Sequence, residues 1–191
     1  MEAVKVGFAL CGSFCTFDPV LVQMRNLVEQ GYDIYPIMSD YAYATDTRFG
    51  KAEDFRRQIK EISGKEEIIH SIVQAEPIGP RNYLDIIVLA PCTGNTLGKL
   101  AGGVTDSSVT MAVKAHLRNQ KPVLIGVSTN DALGGSAKNI GLLMNAKNIY
   151  FIPMKQDNPT GKPCSVVFDF DMLAPALYSA LNKVQMQPVL I

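Results

Sequence analysis

"LDIIVLAPCTGNTLGKLAGGVTDSSVT", residues 84–110, sets the class of the fold. Residues 84–90 are apolar except for Asp85, as expected of a strand buried on both faces rather than one. From Pro91 the run gives way to Cys, Thr, Gly and Asn, and two helical patterns follow. A doubly buried strand that hands over to a loop and then to helices is the repeating unit of a parallel sheet.

The rest of the chain repeats that unit. Val4 to Leu10 and Tyr32 to Met38 read as strands, as do Pro122 to Val127 and Ile149 to Pro153. Asp18-Pro19 offers a helix start, with Leu21, Met24, Leu27 and Val28 on one face and Gly31 as the stop. Further helices are expected at Ala52 to Ser63, Ser136 to Ala146 and Asp169 to Val184. Val109, Ala112, Val113, His116 and Leu117 make another helical face. Between Lys65 and Tyr83, Pro77, Gly79 and Pro80 break the pattern into loop. Right-handed crossovers between such strands predict a three-layer α/β/α sandwich with a Rossmann-like parallel sheet, a single domain over 1–191.

Composition removes several classes of function. Lys+Arg and Asp+Glu stand at 18 each, and no basic run or aromatic-interleaved basic patch occurs, so nucleic acid is not an expected partner. The apolar run at Val6 to Leu10 is too short for a signal segment or a membrane span, so the expected location is cytoplasmic, with no membrane partner. The four cysteines, Cys11, Cys15, Cys92 and Cys164, include no C-x-x-C pair and are expected as free thiols. Cys11, Cys15 and Cys92 do not have the spacing of a zinc site, and no metal is expected.

In a sheet of this kind ligands bind beyond the carboxyl ends of the strands. The four strand ends here are "CGSFCT" (11–16), "SDYAYAT" (39–45), "PCTGNT" (91–96) and "STNDALGG" (128–135), all rich in hydroxyl, amide and glycine. Turn and cap chemistry accounts for any one of them. Four on one edge point to an anion held by hydroxyls and N–H groups. "GFALCGSF" lacks G-x-G-x-x-G, and "GNTLGKL" lacks both the spacing and the Ser/Thr of a P-loop. With few Lys or Arg nearby, a phosphate monoester on a flat apolar ring suits the loops better than a triphosphate, and FMN is such a molecule.

The Gly-Ser turn after the first strand and "APCTGNTLGKLAGGVTDSSVT" resemble the family of homo-oligomeric flavin-containing cysteine decarboxylases and flavin prenyltransferases. Gly12, Ser13, Ala90, Pro91, Thr93, Asn95, Thr96, Lys99, Ala101, Gly103 and Asp106 match its pattern A-P-x-[ST]-x-N-T with the K, A, G and D that follow. The likeness implies an FMN site formed by Gly12, Ser13, Ser39, Pro91, Thr93, Asn95, Thr96 and Ser128. Ser13 and Ser39 would hold the phosphate, and Thr93, Asn95 and Thr96 would lie along the flavin. Asp106 would cap the following helix, with Lys99 a surface or interface residue.

The departures concern acid–base chemistry. The decarboxylase histidine would fall at Pro77, and His70 is too early; His116 lies on an apolar helix face and reads as a packed side chain. "STNDALG" does not supply the P-x-M-N signature, and Ser128, Thr129 and Asn130 stand where the prenyltransferases carry an Arg-Glu pair. The stretches "KVGFALCGSFCTF", "PIMSDYAYATDTRFG" and "STNDALGGSAKNIGLLMNAKNIYFIPMKQDNP" are similar to a branch of the family that serves as one chain of a two-chain oxidoreductase. That branch aromatises a small cyclic dicarboxylate. The resemblance implies a partner chain bearing NADP or NAD, and the apolar helices imply a homo-oligomer. Arg48, Lys138 and the helix N-termini near Gly134 and Gly135 are candidates for binding a dicarboxylate. Asp40, Asp46 and Asp131 are candidate bases, and the catalytic residues are not assignable from sequence. A stand-alone decarboxylase or prenyltransferase, and a non-catalytic assembly protein, are the alternatives.

Overall fold

A computed structural model describes residues 2–191. In chain order the elements are β1 (Lys5–Leu10), α1 (Phe17–Glu29), β2 (Asp33–Met38), α2 (Asp40–Ala44), α3 (Ala52–Ser63), α4 (Ile72–Ala75), α5 (Ile78–Arg81) and β3 (Ile86–Cys92). They continue with α6 (Gly94–Ala101), α7 (Ser108–Leu117), β4 (Val123–Thr129), α8 (Ala137–Met144), β5 (Ile149–Phe151), β6 (Met154–Lys155), β7 (Val166–Phe168) and α9 (Leu173–Leu181).

The sheet runs β2-β1-β3-β4, and every one of these neighbours is parallel. At β4 it forks. β5 pairs in parallel with Val123–Ile125, whereas β7 pairs antiparallel with Ser128 and Thr129, and β6 closes that edge. The sheet is therefore parallel in its main part and mixed at one end, where an all-parallel sheet was expected. The fork is permitted by Gly126: a Cβ there would come within 2.9 Å of Phe168 Cδ1 and 3.0 Å of Ala90 Cβ.

Alternate residues of the central strands feed two cores. Val6, Phe8 and Leu10 with Ile86, Val88 and Ala90 pack under α1, α3 and α9. Ala9 and Cys11 with Ile87, Leu89 and Cys92 pack under the layer formed by α4 to α8. Both faces are covered, which is why these strands read as continuous apolar runs. The three-layer arrangement matches the expectation.

Three local expectations are corrected. The first helix starts at Phe17, not at Asp18-Pro19, because a 3₁₀ turn over Phe14–Thr16 runs directly into it. The segment 65–83 is not plain loop: α4 opens on a reciprocal Ser71–Gln74 capping box, and Pro77, Gly79 and Pro80 fall at the start and in the turn of α5. Proline is tolerated in the first helical turn, where its missing N–H has no partner to lose. Ser107, not Asp106, caps α7, accepting from the Thr110 N–H.

Candidate functional site

Strand order reverses between β1 and β3, since the chain steps one way from β1 to β2 and the other way to β3 and β4. That is the switch point at which open sheets of this class leave a crevice. The end of β1 is tied to β3 by the Cys11 N–H donating to the Pro91 carbonyl at 3.3 Å, and to the end of β2 by the Ser39 N–H donating to the Leu10 carbonyl at 3.0 Å. Ser13 then turns back over the crevice, and its hydroxyl meets that of Ser128 at 2.8 Å, across 115 residues of chain. Pairing of Ser128 and Thr129 with β7 holds the far side of this contact.

Two recesses open on this edge. The larger, about 610 Å³, is lined by Ser13, Ser128, Thr129 and Asn130, by the aromatic rings of Phe14, Phe49 and Phe170, and by Lys162. The smaller, about 390 Å³, is lined by Ser39, Asp40, Asn95, Thr96, Lys99 and Asp106. Gly12 and Thr93 border both. Of the residues singled out from sequence, Gly12, Ser13, Ser39, Thr93, Asn95, Thr96 and Ser128 therefore lie on one crest. Ser13 and Ser39 border different recesses, on either side of Gly12 and Thr93. Pro91 is buried beneath the crest, follows a cis peptide bond and lines neither recess.

Several of these hydroxyls already serve as caps. Ser39 accepts from the Ala42 N–H at 3.2 Å and opens α2. Thr93 accepts from the Thr96 N–H at 3.3 Å and opens α6, whose first-turn Gly94 and Asn95 N–H groups have no helical carbonyl to donate to. Thr96 in turn donates to Cys11 Sγ at 3.3 Å. Burial pushes the Cys11 thiol up to about 11 and the Cys92 thiol well above its ordinary value, so neither is a nucleophile at neutral pH.

The candidate bases are engaged in structure. Asp40 accepts from the Ser108 N–H at 3.3 Å and its hydroxyl at 3.1 Å. Asp46 accepts from the Ala52 N–H at 2.8 Å and closes the start of α3. Asp131 accepts from Thr129 Oγ1 at 2.6 Å and Ser136 Oγ at 2.9 Å, and these two bonds hold its carboxyl below the usual range. The same cluster presses on Gly94, where a Cβ would lie 2.7 Å from both Asp131 Oδ1 and Ser136 Oγ. Lys99 pairs with Asp106 at 2.8 Å and depresses its pKa, so this matched pair forms an ion pair rather than a helix cap. His116 is buried, its Nε2 bonded to the Pro122 carbonyl at 3.1 Å, and burial pushes it down to about 4.

The candidate cations fall elsewhere. Arg48 lies over its neighbour's ring, Phe49, at 4.8 Å, and of the two only Phe49 lines the larger recess. Lys138 is exposed and lines neither recess. The residues that sequence reasoning missed are Asp157, Lys162 and Ser165, all on the β6–β7 hairpin, and Phe170 beyond it. The stretch "SVVF" at 165–168, two β-branched residues followed by an aromatic, was the available signal. Among the described residues there is no cluster suited to a metal ion, and no helix is long and apolar enough to cross a membrane.

The crest suits a phosphate-bearing ring. Its donors are neutral hydroxyls and N–H groups, aromatic rings stand at the wall, and the larger recess has the volume of an ordinary small-molecule site.

The model of the flavoprotein family matches residues 1–162, and the chain belongs to that family. Within it, the chain is 44% identical over its whole length, and over 95% of the relative, to the B subunit of dipicolinate synthase of Bacillus subtilis (strain 168). The crystal structure of the corresponding dipicolinate synthase protein, again the B subunit, from Bacillus halodurans C is similar at a TM-score of 0.90 and 49% identity, covering all of this chain and 98% of that one. The FMN-dependent cysteine decarboxylase SpaF shares the fold at a TM-score of 0.65 and 21% identity, over 94% of this chain and 96% of that one.

Proposed function

We propose that this chain is the B subunit of a two-chain dipicolinate synthase. It contributes to oxidation of a dihydrodipicolinate-type substrate to dipicolinate, in the cytoplasm of a spore-forming cell. The observation that carries the role is the whole-length identity to the Bacillus subtilis protein. Aromatising a dihydropyridine removes two electrons and two protons, and a bound flavin would supply the two-electron acceptor. Ser13 and Ser128 would hold the FMN phosphate with Gly12 in the larger recess, while Thr93, Asn95 and Thr96 would bond the polar edge of the ring and Ser39 would border it from the smaller recess.

The chain's own residues do not supply an evident acid or base. Neither recess is lined by a histidine, and Asp40 and Asp131 each already accept two hydrogen bonds on Oδ1. That supports a division of labour in which the A subunit of the synthase brings NADP or NAD and completes the proton transfers. It also fits the missing dinucleotide fingerprint. Assembly of this chain with copies of itself belongs to the same reading.

The test is reconstitution. The purified chain is mixed with the A subunit, FMN and NADP, and formation of dipicolinate is followed by its ultraviolet absorbance. Turnover that requires both chains supports the proposal. Turnover by the partner chain alone, unaffected by this one, overturns the catalytic role and leaves an assembly protein.

A further inference from the structure

The hairpin loop between β6 and β7 borders the larger recess and is moored at its C-terminal end to the segment after β4. Leu133 N–H donates to the Cys164 carbonyl at 3.0 Å, and Ser165 Oγ donates to Asn130 Oδ1 at 3.3 Å. Inside the loop, Lys162 N–H donates to the Asn158 carbonyl at 2.7 Å and Gly161 N–H to Asn158 Oδ1 at 2.8 Å. Gln156 Nε2 donates to the Pro163 carbonyl at 2.8 Å. These bonds fix the backbone of Lys162 while leaving its four-carbon stem free.

Among the described residues, Lys162 is the only lysine or arginine that lines the larger recess. Its ammonium stands 3.6 Å from Asp157 Oδ2, and its side chain keeps 53% of its surface exposed. Lys99, beside the smaller recess, is by contrast committed to Asp106 at 2.8 Å. Asp157 is held below the usual carboxylate range, chiefly by Ser165 beside it. A partly solvated pair at this distance is weak, and another carboxylate can take the place of the first.

We propose that Lys162 is the anion-recognition residue of the larger recess, exchanging Asp157 for a carboxylate of a small cyclic dicarboxylate. The substrate class rests on the function proposed above; the site itself rests on the hairpin geometry. A resident phosphate dianion is a poorer occupant, because the charged Asp157 beside Lys162 would repel it permanently. Each carboxylate of a dicarboxylate carries a single charge, against nearly two concentrated on a phosphate monoester, so the group seated at Lys162 meets less repulsion from Asp157. The hydroxyls of the crest are left to the flavin.

The test is calorimetric titration of the full chain with pyridine-2,6-dicarboxylate, with and without saturating FMN. Lys162→Gln is expected to weaken binding about fivefold, the size of a partly solvated charged pair. Lys162→Arg should stay within about threefold of the parent, and Asp157→Asn should tighten binding severalfold by removing the competitor. FMN affinity of Lys162→Gln should match the parent. Absence of dicarboxylate binding by the parent chain, or equal binding by Lys162→Gln, overturns the proposal. So does a Lys162→Gln chain that loses FMN but keeps the dicarboxylate, which would assign the lysine to the phosphate. Lys162-dependent dicarboxylate binding in a chain that takes up no FMN upholds this proposal while removing the flavin from the function above.

Discussion

Ser13 and Ser128, at the ends of β1 and β4, share a hydrogen bond of 2.8 Å that spans the end of β3 between them. Each hydroxyl keeps free bonding capacity toward the larger recess, which both residues line. The pair is the point where strand order, the sheet fork and the proposed cofactor site meet.

Removing either hydroxyl should weaken flavin more than it weakens the fold. A lost neutral hydrogen bond contributes about 0.5–1.5 kcal/mol, so Ser13→Ala and Ser128→Ala should each reduce FMN affinity about two- to tenfold. Because they touch, the double variant should fall short of the sum. Flavin absorbance titration of the parent, the two singles and the double measures this directly.

Gly94→Ala places a methyl group against Asp131, Ser136 and Thr129, at 2.7–2.8 Å. The carboxylate cluster has to move, at a cost of about 1–3 kcal/mol. The urea midpoint should fall accordingly, and FMN binding should weaken with it, since Gly94 opens α6.

His116 makes stability depend on pH. Its pKa is about 4 in the folded protein, against 6.5 for an ordinary histidine, and burial is the main cause. The unfolded chain therefore takes up the proton first. The contribution is complete above about pH 6.5, is lost as pH falls from there toward 4, and amounts to about 3 kcal/mol at most. Urea unfolding at pH 7 and pH 4.5 should show the drop, and His116→Gln should flatten this part of the profile.

Thiol chemistry should divide the cysteines evenly. Cys15 and Cys164 are exposed, whereas Cys11 and Cys92 are buried with raised pKa values. An aromatic disulfide reagent at pH 8 should titrate two thiols quickly in the native protein and four in denaturant.

The sequence carried the main sheet because its strands are buried on both faces and read as unbroken apolar runs. It carried α3 to the residue, Ala52 to Ser63, since Phe55, Ile59 and Ile62 repeat at helical spacing; the structure adds that Gly64 ends the helix in a left-handed conformation. β6 and β7 were not legible, because strands of two and three residues are too short to show a period. Lys162 was hidden for the same reason: its place at the site depends on that hairpin, while Arg48 and Lys138 looked closer in sequence. Asp106 was misassigned because Asp and Ser both cap helices, and only the structure shows the carboxylate drawn to Lys99. The crest itself was legible, since hydroxyl-rich loops at four strand ends must share one edge of a parallel sheet.

The central claim is that this crest binds a flavin. An FMN titration of the purified chain, followed by absorbance and repeated with Ser13→Ala and Asn95→Ala, tests it most directly. The expected result is saturable binding in the micromolar range or tighter, weakened by both substitutions. No binding at tens of micromolar FMN, an affinity weaker than about −6 kcal/mol, or binding indifferent to both substitutions, would contradict it.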